Sequence, residues 1–278
     1  MIMNRGDTLK NLTKLLILTG LILAVALSGC LGSDDGGAET DNNTNVSVSH
    51  FYKNVTLAEN DTVVKFDFTS NPTTGYGWAV TVNKTGILDE ILIEATADDS
   101  DLVGAPIVQQ FYYKAQAPGT VALNFKYERS FEEGTTVEDL TYVIQVYQNN
   151  TAEIVSVSSA AGNLLPLYKE AGLEKNGTVM KIMFAENPTT GYTWNITMTP
   201  TDVLHMSKDY IDTPVTDAVG AAGVHTWEFD TLKAGNVSVL FDHNRSFENA
   251  STTETAVFSL KANSDGTIEI RGISLDTQ

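Results

Sequence analysis

The 278-residue chain has one cysteine, Cys30, so its folded part holds no intramolecular disulfide, no cysteine-rich metal site and no catalytic thiol. Positive charge is also scarce. Seventeen Lys and Arg face 35 Asp and Glu, a formal net charge of −18, which excludes a nucleic-acid-binding role and fits solubility at a cell surface or in a salty medium. Only four histidines occur, His50, His205, His225 and His243, and they lack metal-ligand spacing. No nucleophile motif accompanies them, and Asp98, Asp99 and Asp101 lie in a loop where solvated charge explains them. An enzyme is not expected, and neither is a cofactor or a metal. His225 reads as a strand residue rather than a ligand. Sustained helical periodicity is missing throughout.

One apolar run stands out, Leu15 to Leu27, preceded by Arg5, Lys10 and Lys14 and followed by Ser28-Gly29-Cys30. It is too short for a comfortable membrane span and has the layout of a secretory signal over residues 1–29. Leu27-Ser28-Gly29-Cys30 resembles a prokaryotic lipoprotein box, which makes Cys30 the expected lipidated residue and the membrane an expected partner through that lipid. Residues 30–49, rich in Gly, Ser, Asp, Asn and Thr, are expected to form a flexible acidic tether. Asn-x-Ser/Thr triplets at Asn45, Asn54, Asn83, Asn176, Asn195, Asn236 and Asn249 give weak support to an exported, glycosylated surface location.

The rest of the chain is a duplication. Asn-Pro-Thr-Thr-Gly-Tyr occupies 71–76 and again 187–192, and eleven of twenty positions match between 61–80 and 177–196. Gly104/Gly220, Gly119/Gly235 and Arg129-Ser-Phe131-Glu/Arg245-Ser-Phe247-Glu keep the same offset of 116. So long a period means whole domains, expected over 50–160 and 163–278.

Both copies read as β. Thr62 to Phe68, Val121 to Tyr127 and Thr141 to Tyr147 are short, alternating, β-branched or aromatic runs bounded by turn clusters. Each copy is expected to close with a hairpin, turning at Asn149-Asn150 and at Asp265-Gly266. The pattern points to tandem antiparallel β-sandwiches, immunoglobulin-like in class but without the Cys pair. The hexapeptide then links one strand to the strand opening at Trp78 or Trp194. Pro72 and Pro188 fix φ, while Gly75 and Gly191 admit φ > 0, so the loop is stiff and sharply turned. Such a loop suits recognition, because binding costs it little entropy, and equally suits a plain turn.

These islands resemble the chagasin family of cysteine-peptidase inhibitors. That family carries an Asn-Pro-Thr-Thr-Gly-Tyr-x-Trp loop, a Gly-rich loop and an Arg-Pro-Trp-like loop, in that order, on an immunoglobulin-like sandwich. Asn71 to Trp78 and Asn187 to Trp194 match the first motif. Gly220-Ala-Ala-Gly223 looks like the second, and Gly104-Ala-Pro-Ile is its poorer counterpart. Arg129-Ser-Phe131 and Arg245-Ser-Phe247 stand where the third is expected. The resemblance implies a reversible inhibitor of papain-like cysteine peptidases, with Asn71, Pro72, Thr73, Thr74, Gly75, Tyr76, Gly104, Arg129 and Phe131 making the contacts in one copy. Asn187, Pro188, Thr189, Thr190, Gly191, Tyr192, Gly220, Gly223, Arg245 and Phe247 would do so in the other.

The Thr-Thr-Gly segment would enter the catalytic cleft and present hydroxyls and backbone there. Pro106 and Ile107 replace small residues in the first copy, which is expected to bind more weakly or to prefer another enzyme. The missing Pro should loosen both third loops. A surface adhesion or structural module without inhibitory activity is the alternative.

Overall fold

A computed structural model describes residues 51–97, 105–160, 168–212, 222–245 and 252–277. The signal-like segment, Cys30 and the tether lie outside these residues, as do Gly104, Gly220 and Phe247.

The fold is all-β, two tandem immunoglobulin-like antiparallel sandwiches with eight strands each among the described residues. The first copy runs β1 (Phe51–Ala58), β2 (Val63–Ser70), β3 (Gly77–Val82), β4 (Leu88–Ala97), β5 (Ile107–Ala115), β6 (Gly119–Glu128), β7 (Glu138–Val146) and β8 (Ala152–Ser159). The second runs β9 (Tyr168–Glu174), β10 (Val179–Glu186), β11 (Thr193–Thr199), β12 (Leu204–Asp212), β13 (Gly223–Thr231), β14 (Gly235–Asn244), β15 (Glu254–Ala262) and β16 (Ile268–Thr277). A single turn of 3-10 helix, Pro72–Thr74 or Pro188–Thr190, precedes β3 and β11.

Alternation drives the strands. In β2, Val64, Phe66 and Phe68 are buried while Lys65 and Asp67 point outward and pair at 2.8 Å. Turn chemistry closes the hairpins. Glu59, Asn60 and Asp61 all have positive φ between β1 and β2, and Asn149 and Asp265 accept from the backbone N–H and hydroxyl of Thr151 and Thr267.

The sheets of one sandwich run on into those of the other. One continuous sheet is ordered β4-β5-β2-β1-β16-β15-β14-β11, and its partner β3-β6-β7-β8-β9-β10-β13-β12. The two seams obey the same register: Val55 pairs with Ile273 and Thr56 with Gly272, while Ala171 pairs with Val157 and Gly172 with Ser156. Adding or subtracting 116 converts one seam into the other, the signature of an isologous two-fold interface within one chain. A single bridge, Ile154 to Ile270, joins the two sheets at the centre.

The core follows the sheets. Phe66, Phe68, Phe111 and Phe125 in the first copy and Phe184, Trp227, Phe241 and Phe258 in the second belong to one buried cluster, connected through Val55, Ile154, Val157, Ala171, Ile270 and Ile273. The described residues accordingly form one compact unit. An ion pair binds the copies further: Arg271 of β16 makes two hydrogen bonds to Asp61 of the first copy. Within the first copy, buried Lys53 of β1 reaches Glu138 of β7 at 2.9 Å. Glu254, the counterpart of Glu138, lies within the field of both; burial pushes its carboxyl up to about 7, Lys53 opposes this and Glu138 adds to it.

One row of this register carries the recognition loops. Lys53 pairs with Phe68, so Phe51 stands level with Ser70, the last residue before Asn71. Thr277 pairs with Phe51 on one side and Glu254 on the other, Glu254 with His243, and His243 with Trp194. The strand ends that bear the loops of both copies therefore follow one another along the same end of the molecule.

Candidate functional site

Each hexapeptide is a self-capped turn. Asn71 Oδ1 accepts from the N–H of Thr73 at 3.2 Å and from its hydroxyl at 2.5 Å, while the Thr74 N–H and hydroxyl both donate to Asn71 O, at 3.1 and 2.6 Å. Gly75, at φ 81°, ends the turn by donating to Pro72 O. The second copy repeats the pattern: Asn187 Oδ1 takes the N–H and hydroxyl of Thr189, Asn187 O takes those of Thr190, and Gly191 has φ 78°. Thr73, Thr74, Thr189 and Thr190 are exposed. Their hydroxyl protons are spent inward, so what each threonine Oγ offers outward is acceptor lone pairs.

The tryptophans anchor this turn to the core. Trp78 is buried against Phe68 with ring centroids 4.9 Å apart and donates its indole N–H to Thr69 O; Trp194 stacks on Phe184 at 4.3 Å and donates to Ala185 O.

The third loop is bolted to the first. Arg129 Nε donates to Thr74 O at 3.2 Å with its guanidinium 4.7 Å above the Tyr76 ring, and Arg245 Nε donates to Thr190 O at 3.2 Å with its guanidinium 4.3 Å above Tyr192. Arg129 also pairs with Glu132. Phe131 lies over Gly75, where a Cβ would meet its ring at 3.0 Å, and yet is 76% exposed. The loosening expected from the missing proline is met in the first copy by Thr135, whose hydroxyl receives the Arg129 N–H at 3.0 Å and bonds to Glu132 O at 2.9 Å.

Gly223 does not lie on a loop surface. It opens β13 opposite Glu186, it is buried, and a Cβ there would stand 2.6 Å from Asp212 O. Its glycine serves the approach of β12 to β13. Residues 98–104 and 213–221, which hold the rest of both Gly-rich segments, are outside the described residues.

The floor beneath the loops carries no motif in the sequence. In the first copy Tyr127 packs 5.4 Å from Tyr76 and 5.1 Å from Trp78, and its hydroxyl receives the Asn71 N–H at 3.0 Å. Gln109 clamps the Trp78 backbone, accepting its N–H at 2.8 Å. In the second copy His243 takes the place of Tyr127, stacked on Tyr192; burial holds its imidazole below the usual value, against the pull of Glu186 and Asp242. His225 takes the place of Gln109, its two ring nitrogens 2.6 Å from Glu186 and from Asp209. Carrying the offset of 116 from the hexapeptide into β6 and β14 would have found the Tyr127/His243 pair. The Gln109/His225 pair keeps the offset as well, but unlike Tyr127/His243 it does not keep an aromatic ring in both copies.

With this geometry in place, likeness to known proteins is informative. The model of the chagasin family of peptidase inhibitors, family I42, matches residues 57–146 and again 174–267. The chain belongs to that family, with two copies in tandem, and the family consists of protease inhibitors, not enzymes. Amoebiasin-2 of Entamoeba histolytica is 29% identical over 86 residues, 30% of this chain and 70% of the relative. The crystal structure of the cysteine protease inhibitor EhICP2, also from Entamoeba histolytica, is similar at 25% identity and a TM-score of 0.29, over 31% of this chain and 78% of the other.

Proposed function

We propose that the protein is a reversible inhibitor of papain-like cysteine peptidases and that each copy blocks the enzyme's cleft with the loops at its loop-bearing end. One observation carries this reading: outside short islands the copies have diverged, yet both hold the same exposed Thr-Thr-Gly turn by the same Asn cap and the same Arg bolt. A purely structural turn needs no arginine above it. The rigid turn gives up little entropy on binding, its outward threonine oxygens accept from a catalytic imidazolium, and exposed Phe131 supplies an apolar anchor beside it. A turn closed by its own hydrogen bonds resists the bending that would bring a carbonyl to the thiolate, so it stays uncut.

The reading extends to location. Export, lipidation at Cys30 and residence on the outer face of the membrane follow from the signal-like N-terminus and the lone cysteine. Titration of fragment 46–278 into an active-site-quantified papain-like peptidase tests the inhibitory core. Stoichiometric loss of activity supports it; full activity at micromolar inhibitor favours a non-inhibitory surface module instead.

A further inference from the structure

The neck of the second loop is closed by charge where the first is closed by neutral groups. Glu186, immediately before Asn187, is 2% exposed; its Oε1 accepts the hydroxyl of Thr193, the residue immediately after Tyr192, at 2.9 Å. That single carboxylate ties the two ends of the hexapeptide together. Its other oxygen, Oε2, lies 2.6 Å from His225 Nδ1, while His225 Nε2 lies 2.6 Å from Asp209 Oδ1 on β12, and the imidazole stacks on Trp227 at 3.8 Å. The corresponding positions of the first copy are Ser70, Gly77, Gln109 and Ile93, none of them titratable. There Ser70 donates to Tyr76 O and Gln109 holds the Trp78 backbone.

We propose that His225 is a positioning residue of the second inhibitory site, acting through Glu186, and that its protonation makes that site's grip acid-favoured while the first site is indifferent to pH. The inference rests on the reading of the loops as peptidase-contacting. An imidazole with a carboxylate at each nitrogen satisfies both only as the doubly protonated cation, because the neutral ring has one N–H and turns a lone pair toward the other acid. Losing the second proton thus sets a lone pair against Glu186 or Asp209 at 2.6 Å, and the buried Glu186 loses its countercharge.

Among the described residues no other group restores that charge. On β12, Lys208 is committed to Glu228 at 2.8 Å. From β14, His243 and Asp242 act on the same region, with His243 itself held toward its neutral form by burial. From β11 only the Thr193 hydroxyl reaches Glu186.

The test uses fragment 46–278. Imidazole nitrogen resonances report His225 ionisation between pH 5 and 8.5, and amide resonances report both loops without any peptidase. The amides of 187–193 should shift with the His225 midpoint, those of 71–77 should not, and the double variant Glu186→Ser/His225→Gln, which imports the first copy's pair, should abolish the shift. Loops that ignore the His225 titration, or that respond equally in both copies, overturn the proposal.

A second arm blocks one site at a time with Thr73→Trp or Thr189→Trp and measures the inhibition constant against one enzyme across pH. The ratio of the two cancels the enzyme's own pH dependence. It should move at least fivefold against the second site as pH rises, and a flat ratio overturns the proposal. If neither variant inhibits at any pH, the inhibitory reading fails, while the resonance arm still decides the role of His225.

Discussion

Ile154 and Ile270 occupy the same position in the two copies and are bridged to each other across the centre of the molecule. Only a two-fold relation inside one chain brings a residue to its own counterpart. The duplication therefore produced an internal dimer, not two beads on a string.

Cooperative unfolding follows. Separating the copies would open β1 and β8 in one and β9 and β16 in the other, and would strip Val55, Ile154, Val157, Ala171, Ile270 and Ile273 of buried neighbours. Fragment 46–278 should melt in one transition by calorimetry, with equal calorimetric and van't Hoff enthalpies. Fragments 46–160 and 163–278, expressed alone, should be aggregated or poorly folded. A stable half with a dispersed amide spectrum would contradict the shared core.

The seam is sensitive to a single methyl group. A Cβ on Gly172 would lie 2.8 Å from Ser156 Cβ and 3.3 Å from Val155 O. Gly172→Val should cost about 1–3 kcal/mol by overpacking, read as a lower denaturant midpoint. An unchanged midpoint would show that the strands can part there without loss.

Glu254 sets a pH dependence of stability. Its folded carboxyl titrates near 7 against 4.5 for the unconstrained group, so the folded state binds the extra proton. Its contribution is fully present below the unfolded value and is lost as pH rises through about 7. The shift is worth at most ~3 kcal/mol, less to the extent that Lys53 and Glu138 share it. Glu254→Gln should flatten the stability profile between pH 5 and 8; an unaltered slope would place the ionisation elsewhere.

The threonines should matter for inhibition and not for folding. Thr189→Arg alters an exposed tip whose backbone N–H still caps on Asn187, so the melting free energy should change by no more than ~0.5 kcal/mol. With the first site blocked by Thr73→Trp, the inhibition constant should rise at least tenfold. Lost stability with intact inhibition would make the turn merely structural.

The copies are expected to be unequal because Pro106 stiffens the approach to β5, which opens at Ile107, so the chain blocked at Thr73 should inhibit more tightly than the chain blocked at Thr189. Equal constants would sink that argument. The comparison belongs in the joined chain, since the halves share a core.

Strand identity was legible in the sequence because it is written locally, in the alternation of Val64, Phe66 and Phe68 and in turn residues such as Asn149 and Asp265. The loops were legible because two copies carried the same letters. The continuous sheets were not, since hydrogen bonding between β1 and β16 is made by backbone and leaves no residue pattern beyond the glycines of the seam, Gly172 and Gly272. The place of Gly223 inside a strand was not legible for a related reason: a glycine that admits a neighbouring strand looks the same in sequence as one that admits a ligand. The ion cluster around His225 escaped because Glu186, Asp209 and His225 come from three separate strands.

Phe51, level with Ser70, has one more consequence. The polypeptide enters the sandwich from the loop-bearing end, so if Cys30 carries the lipid proposed above, the leash pulls from the side on which the proposed enzyme docks. A leash of about twenty residues, were it flexible, would have an r.m.s. reach of roughly 25 Å, whereas a globular peptidase domain of about 200 residues would be roughly 40 Å across. Clearance then limits capture, and lengthening the leash should speed association with a bound enzyme while leaving the dissociation rate alone.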